Sequence, residues 1–240
     1  MKYMIFTLGH ENRKHYVEAI EKKVTLERVD LPAVDGYSDD LPKLLEARGL
    51  LEHVTNHPRN FRVGQLGIWL GVLNALEWVV ENNEELLTFQ DDALLHKDFM
   101  KEFDKRYQFL PKDYDFFSLF TPRDHHNWYW FSKRIREDGS IINGQAKRHN
   151  TSPYAVNKVI CKVYQKYGGV SILYSPAGAK KMLDIVEEHG MLGTYDEHLY
   201  ANERLGRLSG YISVPSLQDL VYITGKEVST IGQTKFFKDV

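Results

Sequence analysis

The chain has 240 residues, with 31 Lys and Arg against 33 Asp and Glu, a formal charge of -2, and 42% hydrophobic against 27% charged residues. That size and balance suit one globular domain and exclude a disordered chain or a wholesale polyanion binder, while leaving room for a local basic face. The single cysteine, Cys161, excludes an intramolecular disulfide and any multi-cysteine zinc site, and nothing calls for an oxidising compartment.

Met4 to Leu8 is a short apolar run ending at Gly9, which predicts a buried strand and a turn. It is too brief for a secretory signal, and no apolar run approaches the roughly 20 residues a bilayer needs. A soluble cytoplasmic protein without a membrane span is therefore expected. His10 to Lys23 carries Tyr16, Val17 and Ile20 at helical spacing, and Leu26 to Leu31 reads as a second strand closed by Pro32 and the Asp35-Gly36 turn. Asp39 to Leu51 predicts a short helix, and Thr55 to Phe61 a loop.

Gly64 to Asn83 is the longest helical stretch and is apolar almost all round, so it should be buried, with Gly67 and Gly71 admitting a close neighbour. Leu86 to Phe89 reads as a central strand with Gln90-Asp91-Asp92 at its carboxyl end. Asp98 to Phe109 is helical, and Tyr114 to Phe120 and Gly169 to Tyr174 are strands. Ser175-Pro176 caps a helix running to His189, and a last helix spans Asp196 to Arg204. The alternation predicts an α/β fold, a mixed, mostly parallel sheet flanked by helices. Residues 123 to 168 break the rhythm with an aromatic and basic run, His125 to Arg136, and a hairpin signal at Asp138-Gly139, read as a flap or insertion within a single 1–240 domain.

Two acidic clusters carry chemistry. In open α/β sheets ligands bind beyond the carboxyl ends of the strands, where Asp91 and Asp92 could hold a hard divalent ion bridging to substrate phosphates, or could simply cap the next helix or face water. Tyr195-Asp196-Glu197-His198 could supply a base and a further metal ligand, or its acids could cap the helix they begin. Gly9-His10-Glu11-Asn12-Arg13 could receive a nucleotide phosphate or base but lacks the dinucleotide fingerprint. Cys161 reads as a buried spacer rather than a nucleophile. The run from His125 to Arg136 could stack on a base or sugar and contact phosphate, or pack its own aromatics.

In order and spacing, several segments resemble glycosyltransferase family 25, the lipopolysaccharide-type and collagen galactosyltransferase-like enzymes. They are Leu31-Pro32-Ala33-Val34-Asp35-Gly36, the helix from Gly64-Gln65-Leu66-Gly67 to Trp78, Leu86 to Ala93, Gly169 to Leu183 with its Gly178-Ala179-Lys180-Lys181, Tyr195-Asp196, and Pro215 to Gln218 with Ser229-Thr230-Ile231. Gln90 stands where that family has Glu, and Val72-Leu73-Asn74 where its helix has Ser-His. The resemblance implies a GT-A-like nucleotide-binding fold and a metal-dependent, inverting transfer of a hexose from a nucleotide sugar, expected to be a UDP-sugar. It implies Mn²⁺ or Mg²⁺ at Asp92 and Asp91, with His198 as a further ligand, and Asp196 or Glu197 as the base. The donor would lie at Leu8, Arg13, Asp35, Gln90, Asp91 and Gly169. His125, His126, Trp128 and Arg134 would receive the acceptor, a glycan, a protein or a modified DNA base. The competing reading is a non-catalytic sugar- or nucleic-acid-binding module on a degenerate transferase fold, which Gln90 favours.

Overall fold

The computed structural model describes residues 1–120, 134–135, 141–142, 156–162, 169–214, 216–220 and 236–239. In chain order the elements are β1 (Lys2–Phe6), a 3₁₀ turn (Glu11–Arg13), α1 (Lys14–Glu21), α2 (Leu41–Ala47), α3 (Leu51–Asn56), α4 (Val63–Asn82), β2 (Leu86–Gln90), β3 (Ala93–Leu95), α5 (Phe99–Tyr107) and β4 (Phe116–Ser118). They continue with β5 (Arg134–Ile135), β6 (Ile141–Ile142), β7 (Ile160–Lys162), β8 (Ser171–Tyr174), α6 (Pro176–His189), α7 (Tyr195–Arg204), β9 (Gly210–Ser213), β10 (Gln218–Leu220) and a last 3₁₀ turn (Phe237–Asp239).

Six strands make one sheet in the order β1-β2-β8-β4-β9-β7. β1 and β2 are parallel, as are β4 and β9, while β8 runs against both of its neighbours and β7 against β9. The α/β class and the mixed sheet are as expected, but the sheet is not mostly parallel: the β2–β8, β8–β4 and β9–β7 pairings are antiparallel, against two parallel ones. The Gly169–Tyr174 run supplies two of these, entering the sheet between β2 and β4 with reversed direction, and β7 at the edge supplies the third. β10 pairs with β3 in a separate two-stranded sheet. β5 and β6 pair antiparallel, Arg134 opposite Ile142, in agreement with the hairpin signal. Most of the expected flap, including His125, His126 and Trp128, and the side chain of Arg134, lies outside the described residues.

The period-two geometry of the strands sorts their side chains onto two faces. Met4, Leu86, Phe116, Ile172 and Tyr174 join the core formed by α4, α6 and α7. Ile5, Leu87, Phe89, Phe117 and Leu173 join the core formed with α5 and Ile20 of α1. Both faces are covered, so β2 and β8 are buried along almost their whole length and show no polar–apolar alternation. By length and composition α4 could cross a membrane, contrary to the sequence reading; here most of its surface is buried as the central helix of the fold.

Two other expectations change. Leu26–Leu31 forms no strand: it touches β1 through one parallel bridge, Tyr3 to Arg28, held by Tyr3 N to Glu27 O (2.9 Å) and Val29 N to Tyr3 O (2.7 Å). Pro32 has no N–H with which to extend that ladder. α2 lies inside the Asp39–Leu51 run expected to hold a short helix, while α3 follows after Gly49, which has φ of +66°, and reaches into the Thr55–Phe61 segment expected as a loop. Cys161 is fully buried at the sheet edge, and burial pushes its thiol up to about 12, so it is a packing residue and not a nucleophile.

Candidate functional site

β1 and β2 are parallel neighbours, with Phe6 opposite Gln90, so the turns that follow them leave the sheet side by side. After β1 the chain reverses at Gly9, with φ of +73°, and the next turn swings Arg13 back over the strand ends. After β2 it gives Asp91 and Asp92. Arg13 Nη1 lies 3.5 Å from Asp92 Oδ2, and both residues are nearly buried. Asp91 is half-buried beside them. Its burial raises the carboxyl above the usual range, opposed by a hydrogen bond from Thr7 and by the charges of Arg13 and His10. Arg13, Asp91 and Asp92, chosen from sequence for one site, are therefore gathered at one place. Leu8, exposed, stands on the same turn.

The Asp35 segment is fastened to the start of α4. A Cβ on Gly36 would lie 2.1 Å from Val63 O, and one on Gly67 would lie 2.7 Å from Val34 O and 2.8 Å from Gly36 N. Two glycines thus let two backbones touch, which is the close approach expected of Gly67. Asp35 itself is exposed, and its Oδ1 accepts from Tyr37 N (2.9 Å). Because the bridge at Arg28 runs parallel to β1, this segment emerges at the same rim of the sheet as Leu8.

The third contribution comes from the reversed strand. Gln90 N donates to Val170 O (3.1 Å), so the Gly169-Val170 entry to β8 abuts the acidic strand end. Gly169 in turn leaves room for α7: a Cβ there would stand 3.1 Å from Tyr195 Cδ1 and 3.5 Å from Asp196 Cβ. Gln90 is thus joined through the Gly169-Val170 entry to the start of α7 at Asp196.

The α7 acids divide their roles. Glu197 accepts from Thr194 N (2.9 Å) and Thr194 Oγ1 (2.7 Å), closing a capping box, and is ion-paired with Arg59. It is a cap, the ordinary alternative for this cluster. Asp196 Oδ1 accepts from Thr194 Oγ1 (2.5 Å) and Glu197 N (3.1 Å), which fixes its carboxylate at the helix start. The loop ahead of it is tied down by Trp69 on α4, whose Nε1 donates to Gly193 O (2.9 Å) and whose ring meets Tyr195 and His198 edge-on. Tyr195 also shares a buried hydroxyl contact with Tyr174 of β8.

His198 departs from its expected role. It is 1% exposed, its Nδ1 accepts from Leu192 N (3.3 Å), and its ring lies against Trp69. Burial, with Arg207, His189 and His53 around it, lowers its pKa to about 4. Among the described residues no three His, Cys, Asp or Glu side chains form a metal-holding group, so His198 is not gathered with Asp91 and Asp92. It is a core histidine that holds the loop before α7. Sequence reading missed Trp69, Thr194 and Arg59 as organisers of this edge, although the Thr194–Glu197 spacing is a capping-box signal.

The donor chemistry fits a hard divalent ion in part. Asp91 and Asp92 offer carboxylate oxygens at a strand end, a number sufficient for Mg²⁺ or Mn²⁺ when substrate phosphates and water complete the shell. Arg13 already supplies one positive charge to Asp92. No family model matches the chain, and no curated protein matches it.

Proposed function

We propose that this rim binds the diphosphate of a nucleotide sugar and that the chain is a GT-A-like, family 25-type hexosyltransferase. What supports the reading is convergence: Arg13, Asp91 and Asp92, Gly169, and Asp196 come from separate segments and meet along one edge of an α/β sheet. The donor, a UDP-sugar in this reading, lies with its nucleoside toward Leu8 and Asp35 and its diphosphate at Arg13 and the acid pair. Asp91 and Asp92 would hold Mn²⁺ or Mg²⁺, which when bound neutralises charge on the leaving diphosphate. Arg13 contributes a fixed cation to the same charge.

Asp196 takes the proton of an acceptor hydroxyl as that oxygen attacks the anomeric carbon from the face opposite the diphosphate. The new carbon–oxygen bond forms as the bond to the phosphate oxygen breaks, and the nucleoside diphosphate leaves with the electron pair, inverting the anomeric centre. Glu197, spent on its cap and on Arg59, is left out of this chemistry. The acceptor is a glycan, a protein or a modified DNA base, and its recognition by His125, His126, Trp128 and Arg134 belongs to the same proposal.

One observation favours a second reading, a sugar-binding module without turnover. The Arg13–Asp92 pair balances Asp92 without any metal, and Gln90 removes one acid from the strand end. A panel of UDP-hexoses incubated with the protein and Mn²⁺ separates the two. The transferase reading expects UDP release that Asp92→Ala abolishes while the chain still folds, with a melting temperature lowered by loss of the buried Arg13 pair. Tight binding with no UDP release from any donor, with and without added acceptors, establishes the module instead.

A further inference from the structure

The α7 end of the rim carries a cationic cluster that the donor chemistry does not use. Loop residues 57–62 and the segment 236–239 are strapped together: Phe237 N donates to Phe61 O (2.7 Å), Lys238 N to Asn60 Oδ1 (3.3 Å), Lys238 Nζ to His57 O (2.8 Å), and Arg62 lies 4.9 Å over the Phe236 ring. Arg59 N donates to His57 Nδ1 (3.1 Å), which leaves the proton of a neutral His57 on Nε2. The His57 ring is wedged between His53 and Phe61.

Among the described residues the charges that act on His57 are cationic. Its pKa is lowered by burial, opposed by the Arg59 backbone hydrogen bond, and lowered further by the charges of His53, Arg59 and Lys238. The acid bonded to the cluster is Glu197 of α7, which pairs with one nitrogen of Arg59. The guanidinium has five N–H donors and the ammonium three, so both cations keep donors to offer beyond Glu197 and the His57 carbonyl. Arg59 is 41% exposed along its side chain, and Lys238 is exposed. The cluster is also coupled to the proposed base. Arg59 bonds Glu197, Glu197 takes the Thr194 hydroxyl, and that hydroxyl also serves Asp196.

We propose that Arg59, Lys238 and the Nε2–H of His57 form an oxyanion subsite that receives a phosphomonoester on the acceptor, so that the acceptor is an acidic, phosphorylated sugar. A planar guanidinium beside an ammonium suits a tetrahedral oxyanion, since charge-assisted hydrogen bonds from both are shorter and stronger than neutral ones. Glu197 holds the guanidinium in place and keeps the patch from being a bare repulsive cluster. The acceptor assignment rests on the transferase reading; the anion binding does not.

The test is calorimetric titration of glucose 6-phosphate, with unphosphorylated glucose and glucuronate as separate arms, into the full chain saturated with UDP and Mn²⁺. The proposal expects glucose 6-phosphate to bind, glucose not to bind, and glucuronate to bind more weakly. Arg59→Gln with Lys238→Gln should weaken the phosphate about tenfold or more and leave UDP affinity unchanged. Lys238→Gln alone keeps the Arg59–Glu197 pair and should still weaken it severalfold, which guards against a misfolded double variant. Equal binding of glucose and glucose 6-phosphate, or phosphate affinity unmoved in both variants, overturns the subsite. If UDP fails to bind while glucose 6-phosphate binds and the variants lose it, the subsite stands and the transferase reading falls.

Discussion

Asp196→Asn is expected to lower hexose transfer by roughly 10²–10⁴-fold, the range that a positioned general base contributes, with the fold intact. The amide keeps the size of the carboxylate, and its oxygen can still accept from Thr194 Oγ1 and Glu197 N, so α7 should start where it does now. Only the capacity to accept a proton is lost. Glu197→Gln is the contrasting variant. It weakens the capping box and the Arg59 pair, at a cost typical of a lost cap, about 1 kcal/mol, but leaves Asp196 its carboxylate. Turnover should survive it with a modest decrease. Rates for product formation, read beside the melting curve of each variant, check the pair. Full transfer by Asp196→Asn would move the base elsewhere.

Gly36→Ala should produce the largest loss of stability near the site. The added methyl would sit 2.1 Å from Val63 O, 2.5 Å from Val63 C and 2.9 Å from Gly64 N, all backbone atoms of the first turn of α4. No side chain is there to rotate away, so the 33–37 segment must lift from α4. The expected cost is ~3 kcal/mol, at the upper end for overpacking, or a melting point lower by about 6–12 °C for a chain of this size. Gly178→Ala gives the control. Its methyl would lie 2.1 Å from Asp115 O and 2.4 Å from Asp115 Cα, a comparable clash. That contact lies where β8 leaves the sheet and β4 enters it, the rim opposite the acids. Both variants should melt early, but at low temperature only Gly36→Ala should lose nucleotide affinity. Equal affinity in the two would detach Asp35 from the donor site.

Much of this arrangement could be read from residue order because the governing signals are local. A buried helix with two glycines, a doubly covered apolar strand, and a Ser-Pro helix start each leave a short pattern, and α4, β2 and α6 follow theirs within a residue. The gathering of Arg13 with Asp91 and Asp92 was also within reach, since parallel neighbouring strands must deliver their following turns to one rim.

Other features depend on distant partners. The Gly169–Tyr174 run is apolar whichever way it enters the sheet, so its reversed direction leaves no trace in composition. His198 was drawn into a metal set by residue type and by the acids beside it. Its spacing in fact belongs to the buried stripe Tyr195, His198, Leu199 and Asn202, the core face of α7. That pattern is the better guide to where the ring lies. Arg13 lies against Asp92 at that same rim, a pairing across two strand-end turns that residue order alone does not reveal.

The most direct test of the central claim, that Arg13, Asp91 and Asp92 form a diphosphate site, is calorimetric titration of UDP with and without Mn²⁺ into wild type, Arg13→Gln and Asp92→Asn. Tight binding in wild type is expected to weaken sharply when Mn²⁺ is omitted, Arg13→Gln to bind more weakly with the metal dependence kept, and Asp92→Asn to lose that dependence. UDP affinity that is the same in all three proteins, or indifferent to Mn²⁺ in wild type, would contradict that claim.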